Sequence, residues 1–130
     1  MAAAPGSRFA ARVFLWAGIY GLICLLPQYF LEARVGIDTP PPITHPEYFY
    51  GFIGVGIAWQ LAFLAISRDP VRLRLMMLPA VVEKYSFAAS TYGLLFASRG
   101  SGMLTAFATI DLVLGTLFLI AFFRTGREAA

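Results

Sequence analysis

Charge is what this sequence of 130 residues has least of. Asp, Glu, Lys and Arg make up 13% of it, where an average soluble domain carries about a quarter. That leaves too little polar sequence to cover a water-soluble core. Cysteine is equally scarce. Cys24 stands alone, which excludes an internal disulfide framework and any cysteine-cluster metal site. His45 is the single histidine, too few for a haem or zinc site built on histidines. No GxGxxG, Walker, nucleophile-elbow or HExxH pattern occurs, so no dinucleotide, nucleotide, serine-hydrolase or metalloprotease chemistry has a warrant.

What is present is apolar. Hydrophobic types reach 59% and aromatics 15%, a composition incompatible with disorder. Four stretches emerge between the charges, at about 13–31, 48–66, 75–97 and 103–123. A helix needs roughly 20 residues to cross about 30 Å of hydrocarbon. All four stretches have that length. They are continuously apolar rather than alternating, which argues against strands, and barrel strands would be about half as long. The expected fold is therefore all-α: one transmembrane domain over 1–130, four helices in an up-and-down bundle. A rival arrangement keeps the third stretch out of the hydrocarbon, because Glu83 and Lys84 split its apolar run. The first stretch follows Arg8 and Arg12 as a signal peptide would. It lacks a small-x-small cleavage pattern, so it is expected to be a retained span.

The basic residues orient the spans. Arg8 and Arg12 precede the first, Arg68, Arg72 and Arg74 separate the second and third, and Arg124 and Arg127 follow the fourth. Only Arg34 and Arg99 fall on the opposite side. The positive-inside rule then predicts that both termini and the second loop lie in the cytoplasm. The net charge of +3 is thus a topology signal. No basic face or nucleic-acid module accompanies it.

Loop chemistry agrees with the spans. Thr44 and Glu47 have capping-box spacing around Pro46, so the second helix is expected to start near His45. Asp69 and Pro70 suit a helix start, and a tight turn there would hold spans two and three side by side. Pro79 is expected to kink the third helix, and Gly126 to end the fourth. Ala17 with Gly21, and Gly54 with Ala58 and Ala62, form small-residue rows for close helix packing within the chain or in a dimer.

Buried polar residues are the functional leads. Gln60 and Glu83 fall at matching depths, roughly 12 and 13 Å from the arginines that border their spans. Lys84 and Asp111 are the best-matched opposite charges on different helices. A charge in hydrocarbon costs at least about 2.5–3.5 kcal/mol, so such residues turn inward and pair or line a path. We expect Glu83, Lys84 and Asp111 to face the interior, with Gln60 hydrogen-bonding between spans two and three. Their polar cavity is expected to open toward the cytoplasm. His45 and Glu47 form a candidate outer-face contact; one His and one Glu do not make a metal site. No catalytic, cofactor or metal residue is assigned.

The layout resembles that of small bacterial four-span membrane proteins in the loose DoxX-like group. The resemblance rests on size, span count and topology. It also rests on His45-Pro46-Glu47-Tyr48-Phe49-Tyr50-Gly51-Phe52, Ala58-Trp59-Gln60-Leu61, Arg68-Asp69-Pro70 with Arg72 and Arg74, and Glu83-Lys84. It implies a compact helical bundle in a bacterial plasma membrane and carries no residue role. Three functions stay open. One is a noncatalytic protein that binds or supports another membrane component, with lipids, a second copy, a membrane protein or a small apolar ligand as partner. The second is a small-solute or proton-coupled transporter. The third is an intramembrane enzyme acting on a lipid or quinone.

Overall fold

Helices fill the computed structural model, which describes residues 4–129, and no strand occurs among them. The first, α1, spans Pro5–Leu25. Pro5 sits in its first turn, where a missing N–H costs nothing. Pro27 cannot donate to the carbonyl of Ile23, and the chain tightens there into a 3-10 turn, Leu26–Phe30. A short helix the sequence reading did not foresee, α2 (Glu32–Asp38), follows. Helix α3 covers Pro46–Arg68, α4 Met77–Phe96 and α5 Gly102–Ala129.

Three of these are long and apolar enough to cross a membrane: Pro5–Phe30, Pro46–Arg68 and Gly102–Arg127. Only 28%, 22% and 22% of their most apolar windows are buried within the fold. Large apolar side chains such as Trp16, Val55, Leu61 and Phe123 therefore stand on the outside. A soluble monomer does not leave this much contiguous apolar surface bare. These helices suit lipid as their solvent.

The long helices alternate in direction. At one end lie the N-terminus of α1, the C-terminus of α5 and the 69–76 connection. There the Arg124 guanidinium stands 4.7 Å over the Phe9 ring, and Arg74 Nε donates to the Phe122 carbonyl at 2.9 Å. We call this the terminal end. The opposite, far end carries α2 and the 97–101 turn.

Packing runs in the order α3, α1, α5, α4. Glycines set the close approaches. A Cβ on Gly18 would meet Leu64 at 2.8 Å, and one on Gly115 would meet the Tyr85 ring at 2.7 Å. In the terminal half a dry core closes the structure. Phe14, Phe63 and Phe118 are each fully buried. Phe14 stacks on Phe118 at 4.1 Å, and Phe63 meets Phe118 edge-on at 4.9 Å. Lipid removes the usual hydrophobic drive between helices, so such interdigitation is what holds them.

Several expectations need correction. Spans two and three do not lie side by side: α3 and α4 scarcely touch, and α4 packs mainly on α5. The cause is the connection. Asp69 Oδ1 accepts from the Arg72 N–H at 3.1 Å, but this caps a separate turn, and a 3-10 turn, Arg74–Met76, intervenes before α4. Those extra residues let α4 swing away. Pro79 falls in the first turn of α4, which starts at Met77, where a missing N–H costs nothing. No side chain caps α3; Glu47 leans to His45 instead, 3.4 Å away, so the Thr44 capping box does not form. Gly126 does not end α5. A Cβ there would run into the Arg74 guanidinium, so its role is to admit that side chain.

Candidate functional site: a cavity among the long helices

The gap between α3 and α4 is not empty surface. It is the mouth of a cavity of about 740 Å³ walled by all four long helices. Each wall is one stripe of helical spacing. Tyr20 and Cys24 line it from α1, Gln28 from the 3-10 turn that follows, and Phe52, Val55 and Trp59 from α3. From α4 come Glu83, Ser86 and Ser90, and from α5 Leu104, Phe107 and Asp111. Val55 and Val82 border the mouth and are 62% and 65% exposed. The lining runs from Gln28, Phe52 and Leu104 toward the far end to Pro79 in the first turn of α4. The aromatic core of Phe14, Phe63 and Phe118 packs on its terminal side.

Its polar wall is a three-residue cluster. Lys84 Nζ lies 3.2 Å from Asp111 Oδ1 and 3.4 Å from Glu83 Oε2. The expected Lys84–Asp111 pair is therefore formed between α4 and α5. The Glu83–Lys84 contact joins sequence neighbours about 100° apart on a helix. The long lysine side chain folds back far enough to reach both acids. The ammonium also lies 5.4 Å from the Phe63 ring centroid, at the boundary with the dry core. Tyr85 with Thr116, 2.8 Å apart, and Tyr92 with Thr109, at 2.5 Å, continue the polar seam between α4 and α5.

Gln60 belongs elsewhere. It is 1% exposed, and its Nε2 donates to the Gly56 carbonyl on its own helix at 3.0 Å. Its Oε1 is buried without a hydrogen-bond partner. The amide is seated against Gly21, where a Cβ would occupy the position of Oε1. Gln60 therefore joins α3 to α1 and does not bridge α3 to α4. His45 and Glu47 sit at the far end, both about two-thirds exposed, apart from the cavity. Among the described residues no group of His, Cys, Asp and Glu is placed to hold a metal ion.

Sequence reasoning passed over the α1 wall. The available signal was spacing: Tyr20, Cys24 and Gln28 recur at intervals of four, a polar stripe in an otherwise apolar span.

No protein-family model, curated protein or solved structure matches this chain.

Proposed function

We propose that this chain is a noncatalytic four-span protein of the bacterial inner membrane that holds a small lipid-soluble molecule between its helices. The carrying observation is the cavity. Its volume lies within the roughly 300–1,000 Å³ typical of small-molecule sites, and an apolar lining with a few convergent polar groups is their usual chemistry. Its mouth faces sideways between α3 and α4, at a depth where a membrane-dissolved molecule can enter without crossing water.

The reading requires α4 to span with the other three. At 1.5 Å per residue its 20 residues measure about 30 Å, the thickness of the hydrocarbon layer. Its outward face carries Leu78, Val82, Leu94 and Phe96, while Lys84 and Thr91 turn inward. The arginines of the terminal end then lie in the cytoplasm. In this reading the chain is an up-and-down bundle, and the DoxX-like resemblance stays part of the proposal.

Two measurements test it. Reporter fusions at Gly36 and Ala130 are expected on opposite sides of the membrane; the same side for both would mean that α4 does not cross. Protein extracted in lipid nanodiscs and analysed by native mass spectrometry is expected to retain a small apolar molecule. The Ser86→Phe/Ser90→Phe variant, which fills the cavity from two exposed α4 positions, is expected to lose it. Equal retention by the two proteins would refute the assignment of the cavity as the binding site.

A further inference from the structure

The proposed function leaves the ligand's polar end open, and the cluster on the α4–α5 wall addresses it. Two carboxyl side chains share one ammonium. Among the described residues Lys84 supplies the only cation lining the cavity, and it is the only lysine in the chain. Its side chain is 5% exposed, against 21% for Glu83 and 13% for Asp111. Lys84 is thus the least exposed of the three, and two carboxyl groups line the cavity beside the single ammonium. With all three groups ionised the wall carries one uncompensated negative charge.

The rest of the lining suits the same partner. Tyr20, Phe52, Trp59, Phe87 and Phe107 border the cavity, and ring faces attract organic cations, most strongly when water is excluded. The nearby arginines do not compete. Arg74 is held at the terminal end, its Nε bonded to the Phe122 carbonyl and its guanidinium 3.8 Å from the Phe122 ring centroid.

We infer that the cavity binds a lipophilic cation, an organic ammonium head seated against Glu83 and Asp111 with its apolar part leaving between Val55 and Val82. The inference rests on the proposed function, since it needs the cavity to be a ligand site. It excludes fatty acids and other anionic amphiphiles, whose heads would meet carboxylate. It ranks neutral alcohols between the two.

Trp59 is the reporter. The chain has two tryptophans, and Trp59 lines the cavity whereas Trp16 does not. The Trp16→Phe protein is placed in nanodiscs of zwitterionic lipid. It is titrated with dodecyltrimethylammonium, dodecanol or dodecyl sulfate, each carrying bromine on the tail as a quencher. The same protein with Ser86→Phe and Ser90→Phe gives the background from bilayer partitioning. Above that background the ammonium is expected to bind at least tenfold more tightly than the alcohol, and the sulfate not at all. Glu83→Gln removes the uncompensated charge without removing a hydrogen bond to Oε2. It is expected to reduce the ammonium's advantage over the alcohol to less than threefold. Equal quenching by all three heads overturns the cation inference and leaves the cavity a binding site. An undiminished ammonium preference in Glu83→Gln overturns it as well. No quenching above background by any head removes the ligand site itself, and the proposed function with it.

Discussion

Replacing Lys84 with methionine is the sharpest perturbation of this structure. The side chain is nearly isosteric, so packing against Phe63 survives and the charge alone is lost. The two contacts at 3.2 and 3.4 Å each correspond to about 5 kcal/mol of gross attraction at an effective dielectric constant near 20. Desolvation offsets most of this, so the net value of the cluster is small. Removing one partner is different, because it strands the other. A broken buried pair costs about 3–5 kcal/mol. Lys84→Met strands two acids at once and should fall at the top of that range. Asp111→Asn leaves Lys84 with Glu83 and should cost about 1–2 kcal/mol, and Glu83→Gln leaves Lys84 with Asp111 and should cost less than about 1 kcal/mol. The triple variant Glu83→Gln/Lys84→Met/Asp111→Asn carries no stranded charge and should return to within about 2 kcal/mol of the parent. Reversible unfolding in mixed micelles measures all four. If Lys84→Met and Asp111→Asn cost the same and their effects add, the shared-partner arrangement is wrong.

Three other sites give direct tests by the same unfolding assay. Gly21→Ala drives a methyl group into the Gln60 amide and should cost about 1–3 kcal/mol; adding Gln60→Ala should recover part of that loss. Ser98 has φ 56° at the end of α4, with Arg99 N–H donating to the Leu94 carbonyl at 2.8 Å and Ser98 N–H to Leu95 at 3.0 Å. That left-handed position favours glycine, so Ser98→Gly should stabilise by about 0.5–1 kcal/mol. Gly126→Leu should expel the Arg74 guanidinium from its seat on Phe122 and cost about 1–3 kcal/mol, with little further loss when Arg74→Ala is added.

Much of this was written in local chemistry. Continuous apolar runs bounded by arginines marked the long helices, since only a helix satisfies its own backbone through such a run in lipid. Pro46 marked the start of α3. The Lys84–Asp111 pair followed from depth alone. The packing order did not follow, because it depends on how far the 69–76 connection lets α4 travel, and nothing in Arg-Asp-Pro states that distance. Gln60 was misplaced for a related reason. Its depth matches Glu83, but depth says nothing about azimuth, and the recess that receives it is made by Gly21 on another helix. The cavity was equally out of reach. It exists because α3 and α4 stand apart, whereas the sequence favoured a tight turn and direct contact.

Helix α4 is the one long helix outside the three that composition marks as membrane spans, and it also carries Glu83 and Lys84. Those two facts have one cause. If α4 spans as proposed, a helix built only to anchor would place leucine or valine at 83 and 84 and would need no partner on α5. Two ionisable residues in such a span would cost insertion energy, and a Lys84–Asp111 pair would meet the structural need by itself. Glu83 is the excess. Its Oε2 is buried without a hydrogen bond, it leaves the lysine outnumbered, and it is the most exposed of the three. A helix held by one ion pair explains Lys84 and Asp111 and leaves Glu83 without a reason. A cavity that receives a cation explains all three, which makes the Glu83→Gln titration the measurement that separates a brace between two helices from a binding site.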